Sequence, residues 1–166
     1  MARFGARLVA GAAVVAAMGV ASMAGRWIGA EPAPRSATVV DVIDGDTLVV
    51  AFADGRRATV RVLGVDTPET KHPTVGVECF GPEAYSFTRA WLFGAAVTLE
   101  FDREILDKYG RLLAHVWHRG RSLGDVLLDR GLAEWFVLPP NGRHARRQLL
   151  TELDARANGR GLWGSC

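Results

Sequence analysis

Cysteine is scarce in this chain: only Cys79 and Cys166 occur among 166 residues. No CxxC pair and no Cys/His cluster exists, so a zinc centre has no ligand set. The four histidines, His72, His115, His118 and His144, show no metal-ligand spacing with carboxylates and read as structural or surface residues. Internal repeats are absent, and no low-complexity tract follows the N-terminal region. A strong excess of charge is missing too. The chain holds 20 basic and 18 acidic residues, a formal net charge of +2. It is not a polycation, which disfavours a tight, sequence-independent grip on duplex through many phosphate contacts. Basic clusters at Arg56-Arg57 and at Arg143, Arg146 and Arg147 read, taken singly, as solvated surface.

What is present begins with a leader-like segment, residues 1–30. Arg3 and Arg7 precede an apolar, alanine-rich run from Leu8 to Ala24, and Ser22-Met23-Ala24 has the small-x-small form of a cleavage site. The pattern predicts export, with a signal peptide cut after Ala24, or less favourably after Ala30. An uncleaved N-terminal membrane anchor is the rival, because the run approaches the lower limit of roughly 17 residues for a spanning helix. Cleavage after Ala24 leaves 18 basic and 18 acidic residues. In an exported protein an even cysteine count suggests a bridge, so Cys79 and Cys166 are expected to pair. The competing expectation is a buried Cys79 with a frayed or intermolecular Cys166.

Residues 31–36 form a proline-containing linker, and one domain is expected over residues 37–166. Three valine-rich runs, Thr38–Ile43, Thr47–Phe52 and Ala58–Val65, read as a β-meander, with Asp54-Gly55 predicting a type I′ turn. Glu78–Phe93 reads as a helix, Val97–Phe101 and Leu112–Trp117 as strands, and Ser122 as the cap of a helix through Arg130. A last helix over His144–Ala157 is expected to place Leu149, Leu150 and Leu153 on one face. Five short strands and about three α-helices fit a small barrel with helices packed outside.

Three segments carry chemistry. Asp44-Gly45-Asp46-Thr47 is an acidic corner between two strands, and Arg61-Val62-Leu63-Gly64-Val65-Asp66-Thr67-Pro68-Glu69-Thr70 ends in a second, proline-stiffened one. Asp107-Lys108-Tyr109-Gly110-Arg111 adds a second arginine. Paired acidic corners suit a hard cation, which takes oxygen ligands. Two guanidinium forks suit a phosphate, and Glu69 remains to handle a proton. This is the inventory of metal-assisted phosphodiester hydrolysis.

The order and spacing of these segments resemble the staphylococcal nuclease (thermonuclease-like) family, over about Ala37 to Trp163. Non-catalytic text matches as well: Gly81-Pro82-Glu83-Ala84, Gly131-Leu132-Ala133 and Gly161-Leu162-Trp163. The resemblance implies an OB-fold, a five-stranded Greek-key barrel. It implies Ca²⁺ held by Asp46, Asp66 and the Thr67 carbonyl, and catalysis by Arg61, Glu69 and Arg111. Asp44 then stands behind the ligands or merely forms a turn. Lys108 and Tyr109 fall where the family contacts nucleotide. The implied substrates are DNA and RNA, preferably single-stranded, cut without sequence choice by a monomer that leaves 3′-phosphates and needs no protein partner. One departure is that Phe136 and Leu138 stand opposite two tyrosines of the best-known members, so a hydroxyl contact and one stacking surface are lost. Residues Lys71 to Val77 read as a loop flanking the site. A catalytically inactive barrel that binds nucleic acid or protein is the alternative, and the complete set of Asp46, Arg61, Asp66, Glu69 and Arg111 argues against it. A sugar- or peptide-binding module would leave both arginines without a job.

Overall fold

A computed structural model describes residues 32–70 and 76–166. The expected leader, the start of the linker, His72 and most of the loop after Glu69 lie outside the described residues. Among the described residues, no helix is long and apolar enough to cross a membrane.

The chain opens with β1 (Arg35–Asp44), β2 (Thr47–Ala51) and β3 (Arg57–Val62), then the short β4 (Gly64–Asp66) and helix α1 (Gly81–Leu92). A long hairpin follows, β5 (Ala96–Leu106) and β6 (Leu112–His118), and then β7 (Arg121–Ser122). Helix α2 (Leu123–Asp129), β8 (Glu134–Phe136), helix α3 (Ala145–Ala157) and the helical turn α4 (Leu162–Ser165) complete the fold.

The alternating valines of the meander do what period-two patterning dictates. Val39, Leu48, Val50, Val60 and Val62 point inward with no more than 1% exposure. Antiparallel pairing runs β3-β2-β1-β5-β6, and a parallel pairing of β3 with β6 closes the ring into a five-stranded mixed barrel. The OB-like fold expected from the sequence is the fold observed. Leu92 of α1 and Leu123, Leu127 and Leu128 of α2 are fully buried in the same apolar core. Each such side chain contributes about 1.5–3 kcal/mol of burial.

Several local expectations change. β1 starts at Arg35, because Arg35 and Ser36 pair with Leu99 and Thr98, so the end of the proposed linker is strand. At the β2–β3 turn only Gly55 has positive φ (82°), and Gly55 N donates to Phe52 O. The connection is therefore longer than a two-residue type I′ turn. α1 begins three residues later than Glu78, behind a left-handed Phe80 and with proline in its first turn. Ser122 does cap α2, accepting from Asp125 N at 3.4 Å.

The largest change concerns α3. Its buried residues are Gln148, Glu152 and Ala155, while Leu150 and Leu153 are 54% and 50% exposed. Polar anchoring orients this helix: Glu152 accepts from Trp135 N at 2.8 Å and pairs with Arg156. The buried carboxylate has partners to keep, and the leucines, which lose only part of their burial, face out.

Cys79 and Cys166 are joined by a disulfide with Cα atoms 6.2 Å apart. It ties the residues before α1 to the end of α4. Closing a loop of 87 residues restricts the unfolded chain by roughly 4–5 kcal/mol in the entropy model.

Candidate active site

The turn between β1 and β2 presents Asp44-Gly45-Asp46. Gly45 is there because a side chain has no room: an added Cβ would lie 2.8 Å from the Thr67 methyl and 2.9 Å from the Ala84 methyl. Thr88 of α1 donates its hydroxyl to Gly45 O at 2.7 Å. The helix thereby pins the acidic corner against the barrel end.

Asp46 faces inward at 5% exposure. Its Oδ2 accepts from Thr67 N at 2.8 Å and contacts Arg61 Nη1 at 2.9 Å, and its Oδ1 accepts from the Thr47 hydroxyl. Arg61 leaves β3, which pairs Arg61 with Thr47 on β2, so the strand register itself delivers the guanidinium to the corner. Its Nη1 also donates to Val65 O and Val62 O, and its Nη2 reaches Asp66 Oδ1 at 2.6 Å. A buried guanidinium thus bridges the two acidic corners that lie 20 residues apart in sequence. Asp66 sits at the end of β4, held in place by pairing of Asp66 with Glu134 on β8.

The electrostatics of this corner are unsatisfied. Burial pushes the Asp66 carboxyl above the usual carboxylate range; Arg61 pulls it back, and Asp46 adds to the rise. The side chain is 58% exposed, so water relieves part of that push. Glu69 is likewise raised, first by burial, then by a hydrogen bond with Asp44 and the charges of Asp44, Asp46 and Asp66. Asp44, Asp46 and Asp66 therefore act on Glu69, and Arg61 pairs with two of these four carboxylates, Asp46 and Asp66.

A hard divalent cation fits that surplus. The donors are carboxylate and carbonyl oxygens, the set calcium prefers. Thr67 Oγ1 is buried with no hydrogen-bond partner, a polar atom facing the same corner that a bound water or ion would satisfy. Among the described residues, no three His, Cys, Asp or Glu side chains converge on one point to cage a metal by themselves. A cation here would therefore need backbone oxygen, water or phosphate beside the carboxylates to complete its shell. A hollow of about 210 Å³ adjoins the corner, lined by Asp66, Thr67, Pro68, Glu78, Glu134, Trp135 and Phe136.

The other expected residues form a second group. Arg111 lies just before Leu112, which pairs in parallel with Val60, so the barrel closure brings it alongside β3. Its Nε is held by Asp107 Oδ2 at 2.6 Å, and its guanidinium lies 5.5 Å from the Tyr109 ring. Lys108 Nζ sits 4.9 Å from the same ring, and Tyr109 is 72% exposed. The structure thus brings Asp46, Arg61, Asp66 and Thr67 into direct contact and groups Arg111 with Lys108 and Tyr109 in the β5–β6 turn. Phe136 is 43% exposed on β8, opposite Gly64.

With this geometry, comparison with known proteins decides the family. Residues 59–165 match the profile described as staphylococcal nuclease homologue. The chain belongs to the staphylococcal nuclease family. It is 37% identical over 127 residues to the thermonuclease of Staphylococcus hyicus, covering 76% of this chain and 75% of that protein. It is 44% identical over 110 residues to the thermonuclease of Staphylococcus intermedius, covering 66% and 65%. Endonuclease YncB of Bacillus subtilis is 39% identical over 128 residues, 76% of this chain and 60% of that protein.

Within this staphylococcal nuclease fold, one residue near the site went unmarked in the sequence. Glu78 accepts from Glu69 N through Oε2 at 2.9 Å and donates its own N to Glu69 O at 3.0 Å. Gly81 follows so closely that an added Cβ would lie 2.8 Å from Glu69 O. The backbone of Glu69 is thus gripped on both sides by the chain entering α1, next to Cys79 and its disulfide. The only sequence signal was Gly81-Pro82, which marks a helix start and not a partner for Glu69.

Proposed function

We propose that this chain is a calcium-dependent nuclease that cuts DNA and RNA with little sequence choice, prefers single strands and leaves 3′-phosphates. Family membership, with relatives named thermonuclease and endonuclease, makes it a nucleic-acid hydrolase. The observation that carries the finer reading is the surplus of carboxylate charge around the buried Arg61.

Asp46, Asp66 and the Thr67 carbonyl would hold the cation. When bound, calcium polarises a phosphate oxygen and offsets the charge that grows on it. Glu69 accepts the proton of a water aligned with the scissile bond. Its raised pKa makes it a stronger base than an ordinary carboxylate. Arg61 and Arg111 donate to the non-bridging oxygens, and Arg111 shields the leaving 5′-oxygen, since a guanidinium does not give up its proton. Both forks are already held by carboxylates, so their orientation costs little at the moment of reaction. Exposed Tyr109 and Phe136 offer ring faces to bases, Phe136 without a hydroxyl. Lys108 supplies charge beside Tyr109. The protein acts as an exported monomer, its leader cleaved.

Incubation with single-stranded DNA and RNA, with calcium or with chelator, tests the reading. Hydrolysis is expected with calcium and not with chelator, and magnesium is expected to activate less because it demands stricter octahedral geometry. In calorimetry Asp46→Ala and Asp66→Ala should each weaken calcium binding at least about tenfold. Equal affinity in both variants would remove the proposed metal site.

A further inference from the structure

Away from the catalytic corner, the far end of α1 carries a row of aromatic rings and arginines that the chemistry above does not use. Phe87 and Trp91 meet in a tilted contact at 5.7 Å between ring centroids, and Trp91 meets His118 edge-on at 5.9 Å. Arg130 lies 4.7 Å from the Phe87 ring and Arg121 5.8 Å from the Trp91 ring. Beyond them Phe93 is 53% exposed, with Arg89 over its ring at 4.5 Å. Trp91, Phe93, His118 and Arg119 wall an open hollow of about 730 Å³.

The charges on this face differ from most of those around α3. Around α3, Arg143 before the helix, Arg147 and Arg156 on it and Arg160 after it pair with carboxylates. On the aromatic face Arg89 pairs loosely with Asp41 at 3.5 Å. Among the described residues no carboxylate pairs with Arg119, Arg121 or Arg130. Three exposed guanidiniums without counter-charge, interleaved with ring faces, complement a polyanion that carries planar groups. Bases stack on aromatic rings and on guanidinium planes alike, and this stacking tolerates any sequence.

We propose that this face is a second binding surface for single-stranded nucleic acid, seating the part of a long strand that lies beyond the catalytic corner. The proposal rests on the reading of the chain as a nuclease. α1 links the two places: its first turns pack on Gly45 and Glu69, and its last turn bears Trp91. Twelve helical residues span about 18 Å. At about 3.4 Å per nucleotide of one strand that is about five nucleotides, inside the roughly 4–16 that a barrel of this type holds. A long strand therefore reaches both places, and a dinucleotide reaches only one.

The test compares the full protein with an Arg119→Gln/Arg121→Gln/Arg130→Gln variant and with Phe93→Ala. Binding of an oligothymidylate of about 20 nucleotides is measured against salt, in chelator to stop hydrolysis. Three lost phosphate contacts should flatten the log–log salt slope by about 2. Phe93→Ala should weaken binding about fivefold or more. With calcium restored, KM for the long strand should rise by a similar factor, while kcat/KM for a dinucleotide stays unchanged. An unchanged salt slope overturns the proposal. So does an equal loss on the dinucleotide, which would mark the residues as structural, or a loss of binding to anionic phospholipid vesicles with strand binding intact. A wild-type protein that hydrolyses no diester would instead refute the catalytic reading, and the chelator measurement would still decide the face.

Discussion

Two carboxylate clusters in this protein have opposite characters. At the acidic corner, burial and mutual repulsion hold Asp66 and Glu69 above the usual carboxylate range. On the other side of the barrel, burial also works against Glu100 and Asp102, yet both are held below that range. Glu100 accepts hydrogen bonds from His144 and from Trp117 Nε1, and Arg143 approaches it at 3.4 Å. Asp102 accepts from Gly142 N at 2.8 Å and Arg143 N at 2.9 Å, which fixes the chain as it enters α3. Donors outweigh burial at both acids of one cluster, while in the other burial and neighbouring carboxylates outweigh the donors at Asp66 and Glu69. The satisfied cluster stabilises the fold, while the unsatisfied one, on the function proposed above, keeps charge in reserve for a cation.

The pH dependence of stability has opposite signs in the two places. Glu100 and Asp102, with depressed folded pKa values, contribute stability above their unfolded pKa and lose it as pH falls through the folded value. Asp66 and Glu69 cost stability once ionised, and protonation at lower pH relieves that cost.

The sharpest way to break the contrast is Glu69→Gln, which removes one acid from the crowded corner. Turnover should fall by at least about 10²-fold, since a positioned base contributes roughly 10²–10⁴-fold. Melting temperature at neutral pH should hold or rise, because the variant removes repulsion. A variant that hydrolyses normally would take Glu69 out of the mechanism, and one that unfolds would make the corner structural.

A smaller effect is expected at His115, which is buried beside the satisfied cluster with both ring nitrogens lacking partners. Burial and the neighbouring His144 lower its pKa to about 4, against weaker opposition from Glu100 and Asp102. The native state thus refuses a proton that the unfolded chain accepts near 6.5, and stability drains away between about pH 6.5 and 4. The loss amounts to about 3 kcal/mol. His115→Phe keeps the edge-on contact with His144, at 4.5 Å between ring centroids, and strands no polar atom. Urea titrations across that pH range should show the variant retaining most of what the parent loses. Equal pH slopes would mean that His115 is protonated in the fold.

The smallest effect belongs to Glu78→Gln. The amide can still accept from Glu69 N but without a charge, so turnover should drop by less than about tenfold with KM unchanged. In a Glu69→Gln background the same change should do nothing more. Additive losses would show that Glu78 does not act through Glu69.

Much of this architecture was legible in the sequence. The meander and the Ser122 cap are local, set by period-two patterning and by one side chain bonding its own helix. The candidate site could be picked out in the sequence because its residues cluster within short segments. α3 was misread because its orientation depends on Glu152 meeting Trp135 N, a contact across 17 residues that hydrophobic periodicity cannot register. Glu78 was missed for the same reason: its role is defined by a backbone partner nine residues away. The exact place of Arg111 relative to Arg61 depended on a parallel pairing that no local pattern announces.

That pairing has a kinetic consequence. Hairpins β1–β2 and β2–β3 join residues close in sequence, whereas Val60–Val62 must find Leu112–Ala114 about fifty residues further on. Contacts of such high order carry a large loop-closure entropy and form slowly. Arg61 is delivered by the early hairpins, but Arg111 comes alongside only when the ring shuts. A half-folded chain therefore holds one guanidinium at the corner without the other, and on the function proposed above the ability to cut waits for the ring to shut.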